Sequence, residues 1–290
     1  MIWNLGSINS DNFYYLSHLP EPGETLAAKQ YQQGLGGKGA NMSVAAARAA
    51  ARVVHIGAVG RDGKWAVDRL LEYGVDTQHI AVVDAPTGHA NINVDANGEN
   101  NIVLYAGANH AVTEQMIGAA LAEATPNDFL VMQNETSGQD FAAQAAKTLG
   151  LQVVYAAAPF SAEAVQKVIA HVDLLVLNAV EADQLQASTG RELTALPVDD
   201  IVVTLGGDGC KWVSNKGNTV RSFPSFAVEV VDTTGAGDTF TGYLVAGLDR
   251  GFDMAKALDL ALRAGALMVG RSGTADVIPD LKEVQDHRFS

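Results

Sequence analysis

Six short apolar runs, Ile2–Ile8, Val53–Val59, Phe129–Met132, Val153–Ala157, Leu174–Leu177 and Ile201–Leu205, are spaced along the chain, most of them separated by helical patterns. Runs of this length without strict alternation describe strands buried on both faces, and helices between them are the connections that parallel strands need. The expected architecture is an α/β fold built on a mainly parallel, twisted sheet. In such a sheet, ligands bind beyond the carboxyl ends of the strands.

Two segments break the rhythm. Phe13–Gln33 and Gly88–Tyr105 are strand-rich without helical period, and the second turns at Asn97-Gly98, a strong hairpin signal. They are expected to pair into a small sheet projecting from the main body as a lid, over about residues 12–34 and 87–106. A further hairpin is predicted between Cys210–Val213 and Thr219–Phe223, turning at Ser214–Asn218. The last quarter reads as two core helices, Thr239–Arg250 and Met254–Val269, each with one apolar face. With no repeat and no Pro/Gly/Ser linker, residues 1–290 parse as a single domain carrying the inserted lid.

Bulk composition narrows the partners. The 290 residues are 48% hydrophobic, enough for a large core, and 33 acidic against 19 basic residues give a net charge of −14. Nucleic acid and anionic membranes are poor partners for such a surface. An anionic small molecule stays possible where backbone amides and a few placed cations act locally. The single cysteine, Cys210, rules out an internal disulfide, and no apolar run reaches membrane-spanning length, so a cytoplasmic setting is expected. The histidines lack the spacing of a zinc site.

The sharpest local signal is Asp232-Thr-Thr-Gly235-Ala236-Gly237-Asp238, running into a helix. The amides of Gly235, Ala236, Gly237 and Asp238 are expected to converge on an anion, since a helix start leaves N–H groups unpaired and carries partial positive charge. A carboxylate in that same turn places a proton acceptor beside a transferring phosphoryl group, and the helix dipole is expected to keep Asp238 ionised. A second cluster, Gly34-Leu-Gly36-Gly37-Lys38-Gly39-Ala-Asn41, runs into a helix predicted over Met42–Ala51. It lacks the spacing of a Walker A loop; its glycines admit a ligand to the backbone, and Lys38 and Asn41 supply polar groups suited to a polyol. Read alone, each cluster is also what an ordinary turn would show.

Asn9 and Asp11 follow the first strand, and Glu135 follows another; carboxylates there can accept two adjacent hydroxyls. Asn178 and Glu181 have capping-box spacing at a helix start. Thr204-Leu-Gly206-Gly207-Asp-Gly209 is a tight turn after a strand.

Taken together, the Thr233–Phe240 run and Gly36-Gly-Lys-Gly-Ala-Asn41 resemble the two signatures of the ribokinase family, the PfkB-type carbohydrate kinases, and the likeness extends nearly end to end with a shortening around Glu192–Asp200. The resemblance implies a three-layer α/β/α sandwich with a small β-sheet lid, and phosphorylation of a sugar's primary hydroxyl by ATP with Mg²⁺. It implies Asp238 as the base and Gly235–Gly237 as the anion hole. Asn9, Asp11, Gly37, Lys38, Asn41 and Glu135 would bind the sugar, D-ribose being the best match to the complete polar set. Asn178, Thr204, Gly206, Gly207, Gly209 and Gly237 would lie along the nucleotide, and Glu181 would organise Mg²⁺ through water. It also implies a homodimer through the lid. Asp232 and Thr234 match positions that help hold a potassium ion in the family, but the pattern departs at Val277, which offers no side-chain oxygen. A nucleoside kinase is the near alternative; a non-catalytic sugar or nucleotide sensor is the alternative of another class.

Overall fold

The computed structural model describes residues 1–289. In chain order the elements are β1 (Ile2–Leu5), β2 (Asn9–Tyr15), β3 (Gln30–Gly36), α1 (Lys38–Arg48), β4 (Val53–Gly60), α2 (Lys64–Glu72), β5 (Ile80–Val83), β6 (Gly88–Val94) and β7 (Asn100–Tyr105). There follow α3 (Glu114–Leu121), β8 (Phe129–Gln133), α4 (Gln139–Thr148), β9 (Gln152–Ala156), α5 (Ala162–Val168), β10 (Leu174–Asn178) and α6 (Ala179–Thr189). The last are β11 (Asp200–Thr204), β12 (Cys210–Ser214), β13 (Thr219–Phe223), α7 (Ala236–Asp249), α8 (Met254–Val269) and α9 (Leu281–Asp286).

The main sheet has nine strands in the order β13-β12-β11-β10-β9-β8-β1-β4-β5. From β11 to β5 neighbouring strands are parallel, and the predicted β12–β13 hairpin closes one edge antiparallel. The pleat sends alternate side chains to opposite faces: Ile2 enters a core shared with α1, α7 and α8, while Trp3 and Leu5 enter a second core shared with α3 to α6. Helices thus cover both faces, giving three layers. Because β1 lies between β8 and β4, the chain leaves it to opposite sides, and a crevice opens at its carboxyl end.

The expected lid is a separate four-stranded sheet in the order β3-β2-β6-β7. Strand β2 pairs antiparallel with β3 and parallel with β6, and β6 turns back to β7 through Asn97-Gly98 as predicted. Ile102, Val103, Leu104 and Tyr105 on β7 are exposed, so its outer edge and apolar side chains are uncovered in the single chain. Thr274 Oγ1 donates to the Leu35 carbonyl at 2.8 Å, tying the root of β3 to the main body.

Two boundaries differ from expectation for one physical reason. Strand β1 stops at Leu5 rather than Ile8, and α1 starts at Lys38 rather than Met42. At Gly6 the chain crosses the first turn of α1 so closely that a Cβ on Gly39 would sit 2.3 Å from the Gly6 Cα and from the Ser7 amide nitrogen. The Ala40 amide donates to the Ser7 carbonyl at 2.8 Å across this crossing. The chain therefore leaves the sheet at Gly6, and of the glycines read as a loop, Gly34 and Gly36 end β3 while Gly37 and Gly39 become the cap and first turn of α1. Gly39→Ala should cost about 2–3 kcal/mol by overpacking, measured by urea unfolding against the parent protein; a loss below about 0.5 kcal/mol would show that the crossing relaxes freely.

Candidate active site

Asp238 lies in the first turn of α7, buried, with Gly235 as the residue that caps the helix in a left-handed conformation at φ 72°. One expected anion-hole donor is already spent: the Ala236 amide bonds the Thr233 carbonyl at 3.2 Å. Among the described residues the amides of Gly235, Gly237 and Asp238 have no such partner, and they form the open donors of the turn. Asn41 Nδ2 donates to Asp238 Oδ2 at 2.9 Å, which fixes the carboxylate from the α1 side. The expectation that the helix start alone keeps Asp238 ionised needs correction. Burial raises its pKa above the usual aspartate value, while Lys38 and then the Asn41 hydrogen bond oppose the rise.

A second group gathers at the crevice beyond β1. Glu135 Oε2 accepts from Ser7 Oγ and from the Lys38 amide at 3.1 Å. Asn9 Oδ1 accepts from Asn109 Nδ2 at 2.8 Å, and Asn109 Oδ1 in turn accepts from the Ile8 amide at 2.9 Å. The Asp11 carboxylate lies over Gly36, where any side chain would collide with it, and it accepts no hydrogen bond from the described residues. Burial, with Glu135 and Asp238 nearby, raises Asp11 to about 7. Lys38 is the cation among these acids, its pKa raised most by Asp238 and also by Glu135 and Glu181. Asn9, Asp11, Lys38, Asn41 and Glu135 are thus brought to one crevice, with Gly37 packed against the Ser7 carbonyl and the Asn9 amide.

On the other side of Asp238, a cleft of about 340 Å³ is lined by Lys38, Asn178, Glu181, Gly235, Gly237 and Asp238. It continues, through the shared Thr204, Thr233 and Gly237, into an apolar slot of about 340 Å³ that also takes in Gly206, Gly207 and Gly209. Asn178 and Glu181 form the predicted capping box: Asn178 Oδ1 accepts from the Glu181 amide at 2.9 Å and Glu181 Oε2 from the Asn178 amide at 2.8 Å. Asp232 is brought to the loop at Gly273, but both its oxygens are engaged, by the Thr234 amide at 2.8 Å and the Gly273 amide at 3.3 Å. The described residues contain no group of three or more acidic, histidine or cysteine side chains placed to hold a metal.

The structure adds residues that sequence reading missed. Asn109 and Ser7 orient the polar groups of the crevice, and Phe226, Val228 and Val230 with Leu262, Gly265, Ala266 and Val269 wall the slot. Val230 and Val231 belong to an aperiodic apolar run and stay about 60% exposed, which is the one signal that could have marked the slot wall. A carboxylate whose folded-state pKa lies above its unfolded value binds more protons when folded, so its contribution to stability falls as pH rises between the two values. For Asp11 that window runs from about 4 to about 7. Asp11→Asn should therefore stabilise the chain, by an amount on the order of 1–3 kcal/mol at pH 8 and markedly less at pH 5, as read from denaturant unfolding at the two pH values. Equal gains at both would contradict the assigned shift.

Comparison with known proteins bears directly on this site. The model of the pfkB family of carbohydrate kinases matches residues 3–281. A ribokinase of Haemophilus influenzae is 37% identical over 296 residues, covering 96% of this chain and 95% of that protein. Among solved structures, the ribokinase of Cryptococcus neoformans var. grubii serotype A in complex with ADP superposes with a TM-score of 0.84 at 32% identity, covering 98% of both chains. The Arabidopsis thaliana ribokinase complexed with ribose and ATP gives 0.85 at 28% identity, covering 98% of this chain and 97% of that one. With nearly its whole length matched and its two signature turns meeting at one buried aspartate, the chain belongs to the pfkB family of carbohydrate kinases.

Proposed function

We propose that the chain transfers the γ-phosphoryl group of ATP to the primary hydroxyl of D-ribose, giving D-ribose 5-phosphate and ADP. The observation that carries this reading is the position of Asp238. It is buried where the polar crevice and the cleft meet, held by Asn41 and flanked by the open amides of Gly237 and its own residue. In the crevice, the unpartnered Asp11 carboxylate and the oriented Asn9 and Glu135 offer acceptors for the hydroxyls of a free sugar. A sugar lacking one of those hydroxyls would leave a buried acceptor unpaired, which is how such a site discriminates.

The sugar hydroxyl lies between Asp238 and the γ-phosphorus. Its proton passes to the Asp238 carboxylate as the new O–P bond forms and the bond to the β–γ bridging oxygen breaks, releasing ADP. Open amides at the start of α7 and the Lys38 ammonium stabilise charge on the equatorial oxygens. The adenosine portion occupies the apolar slot, with Thr204, Gly206, Gly207 and Gly209 along it. A Mg²⁺ ion, held largely by waters and phosphates, would need one free carboxylate oxygen; Glu181 offers Oε1, since Oε2 is engaged in the capping box. Such an ion neutralises charge on the phosphates. Asp232 keeps acceptor capacity beyond the Thr234 and Gly273 amides, but Val277 brings no side-chain oxygen to complete a potassium shell.

The lid over the crevice excludes water that would otherwise take the phosphoryl group. The apolar outer face of β7 suits pairing with a second copy, so a homodimer through the lid belongs to the proposal. A cytoplasmic setting, where ATP is abundant, belongs to the proposal. None of the described helices is long and apolar enough to cross a membrane, and a net charge of −14 makes nucleic acid a poor partner.

Asp238→Asn should lower kcat by about 10²–10⁴-fold with little change in the KM for ribose, assayed by ADP release with MgATP. Turnover near the parent rate would remove Asp238 as the base. Because the base must be deprotonated, kcat/KM should rise with pH through a pKa above the ordinary aspartate value. Asn41→Ala, which withdraws a hydrogen bond from the ionised form, should move that limb to higher pH. Across a panel of pentoses, hexoses and nucleosides, D-ribose should give the highest kcat/KM. Nucleosides outpacing all free sugars would make the chain a nucleoside kinase, and tight sugar binding without turnover would make it a sensor.

A further inference from the structure

Beneath the crevice lies a buried polar chain that the chemistry does not use. Gln133 Nε2 donates to Asn4 Oδ1 at 2.9 Å, and Asn4 Nδ2 donates to both the Gly39 carbonyl and Ser43 Oγ at 2.7 Å. Ser43 Oγ lies 2.8 Å from His55 Nδ1, and His55 Nε2 lies 3.0 Å from the Gly6 carbonyl. Asn4, Ser43, His55 and Gln133 are all at most 1% exposed.

The proton positions follow from the partners. A carbonyl only accepts, so Nε2 of His55 carries the hydrogen given to Gly6. Burial keeps the imidazole neutral, its pKa lowered to about 4, so Nδ1 is bare and the Ser43 hydroxyl donates to it. The Ser43 oxygen is then free to accept from Asn4. Every bond points the same way, from Gln133 through Asn4, Ser43 and His55 to Gly6.

Two members of this chain grip the Gly6–Gly39 crossing, His55 through the Gly6 carbonyl and Asn4 through the Gly39 carbonyl. On the upper side of the same crossing the Gly39 amide donates to Ser7 Oγ at 3.2 Å, and Ser7 with the Lys38 amide holds Glu135. We propose that His55 is a positioning residue for the sugar, setting through Gly6, and through Ser43 and Asn4, where Ser7, Lys38 and Glu135 present themselves to the substrate. It never touches the sugar or the nucleotide. This deepens the kinase reading and rests on it for the substrate.

The apolar slot proposed for the adenosine portion is built from β11, the segment before α7, α7 and α8, and shares no residue with this network, so the effect on binding should fall mainly on the sugar. His55→Phe should raise the KM for D-ribose about tenfold, as displacement of a positioned group does, while the KM for ATP stays within about twofold. His55→Gln, which keeps a donor and an acceptor, should recover most of the loss. An unchanged ribose KM in a folded His55→Phe protein, or equal rises for both substrates, would overturn the proposal. Should His55→Phe fail to fold, Ser43→Ala decides: a rise confined to ribose supports the role, and no change defeats it. If the parent phosphorylates no sugar, the kinase reading fails on its own. The network is then decided by imidazole ¹⁵N shifts of the parent protein, where a neutral Nε2–H tautomer at pH 6 supports it and a Nδ1–H tautomer or an imidazolium overturns it.

Discussion

The contact on which this structure turns is the crossing of two backbones at Gly6 and Gly39, too close for a side chain on either. It ends β1, starts α1 and brings the end of the central strand against a helix start. The consequence is geometric. Asn9 and Asp11 are carried into the lid's first strand, Lys38 and Asn41 are lifted into the first turn of α1, and Glu135 is reached from β8 through Ser7. A looser crossing would leave the same residues on flexible loops, where their hydroxyl acceptors would have no fixed spacing. The polar chain through Asn4, Ser43 and His55 locks this contact from below.

Around that contact the site gathers acids in a low-dielectric place. Asp11, Glu135, Glu181 and Asp238 all have their pKa raised, burial being the largest cause for each. Lys38 is the shared counter-charge: its amide bonds Glu135, and its ammonium acts most strongly on Asp238 and also on Glu135 and Glu181. Such crowding costs stability in the unliganded chain and is the form that strain takes at a binding site. A polyol that donates to the acids, and a phosphate that faces the amides and Lys38, would relieve it.

Much of the frame was legible in the chain. The buried runs from Val53, Phe129, Val153, Leu174 and Ile201 became β4, β8, β9, β10 and β11, because continuous apolar strands have few other places to go. Asn97-Gly98 made its hairpin, and Asn178 with Glu181 made its capping box, since both depend on neighbours a few residues apart. The start of α1 was misplaced by four residues, for helix propensity disfavours Gly37-Lys38-Gly39 and only the packing against Gly6 overrides it.

Local chemistry in the sequence therefore determined the strands, the turns and the identity of the polar groups, including Asp238 at a helix start and the acids after two strands. Tertiary structure alone decided two things: that burial raises the Asp238 pKa, and that Asn109 and the wall from Phe226 to Val269 line the candidate site with His55 beneath it. The reason is common to both. Each depends on contacts between residues far apart in the chain or on how deeply a group is buried, and neither has a signature in local spacing.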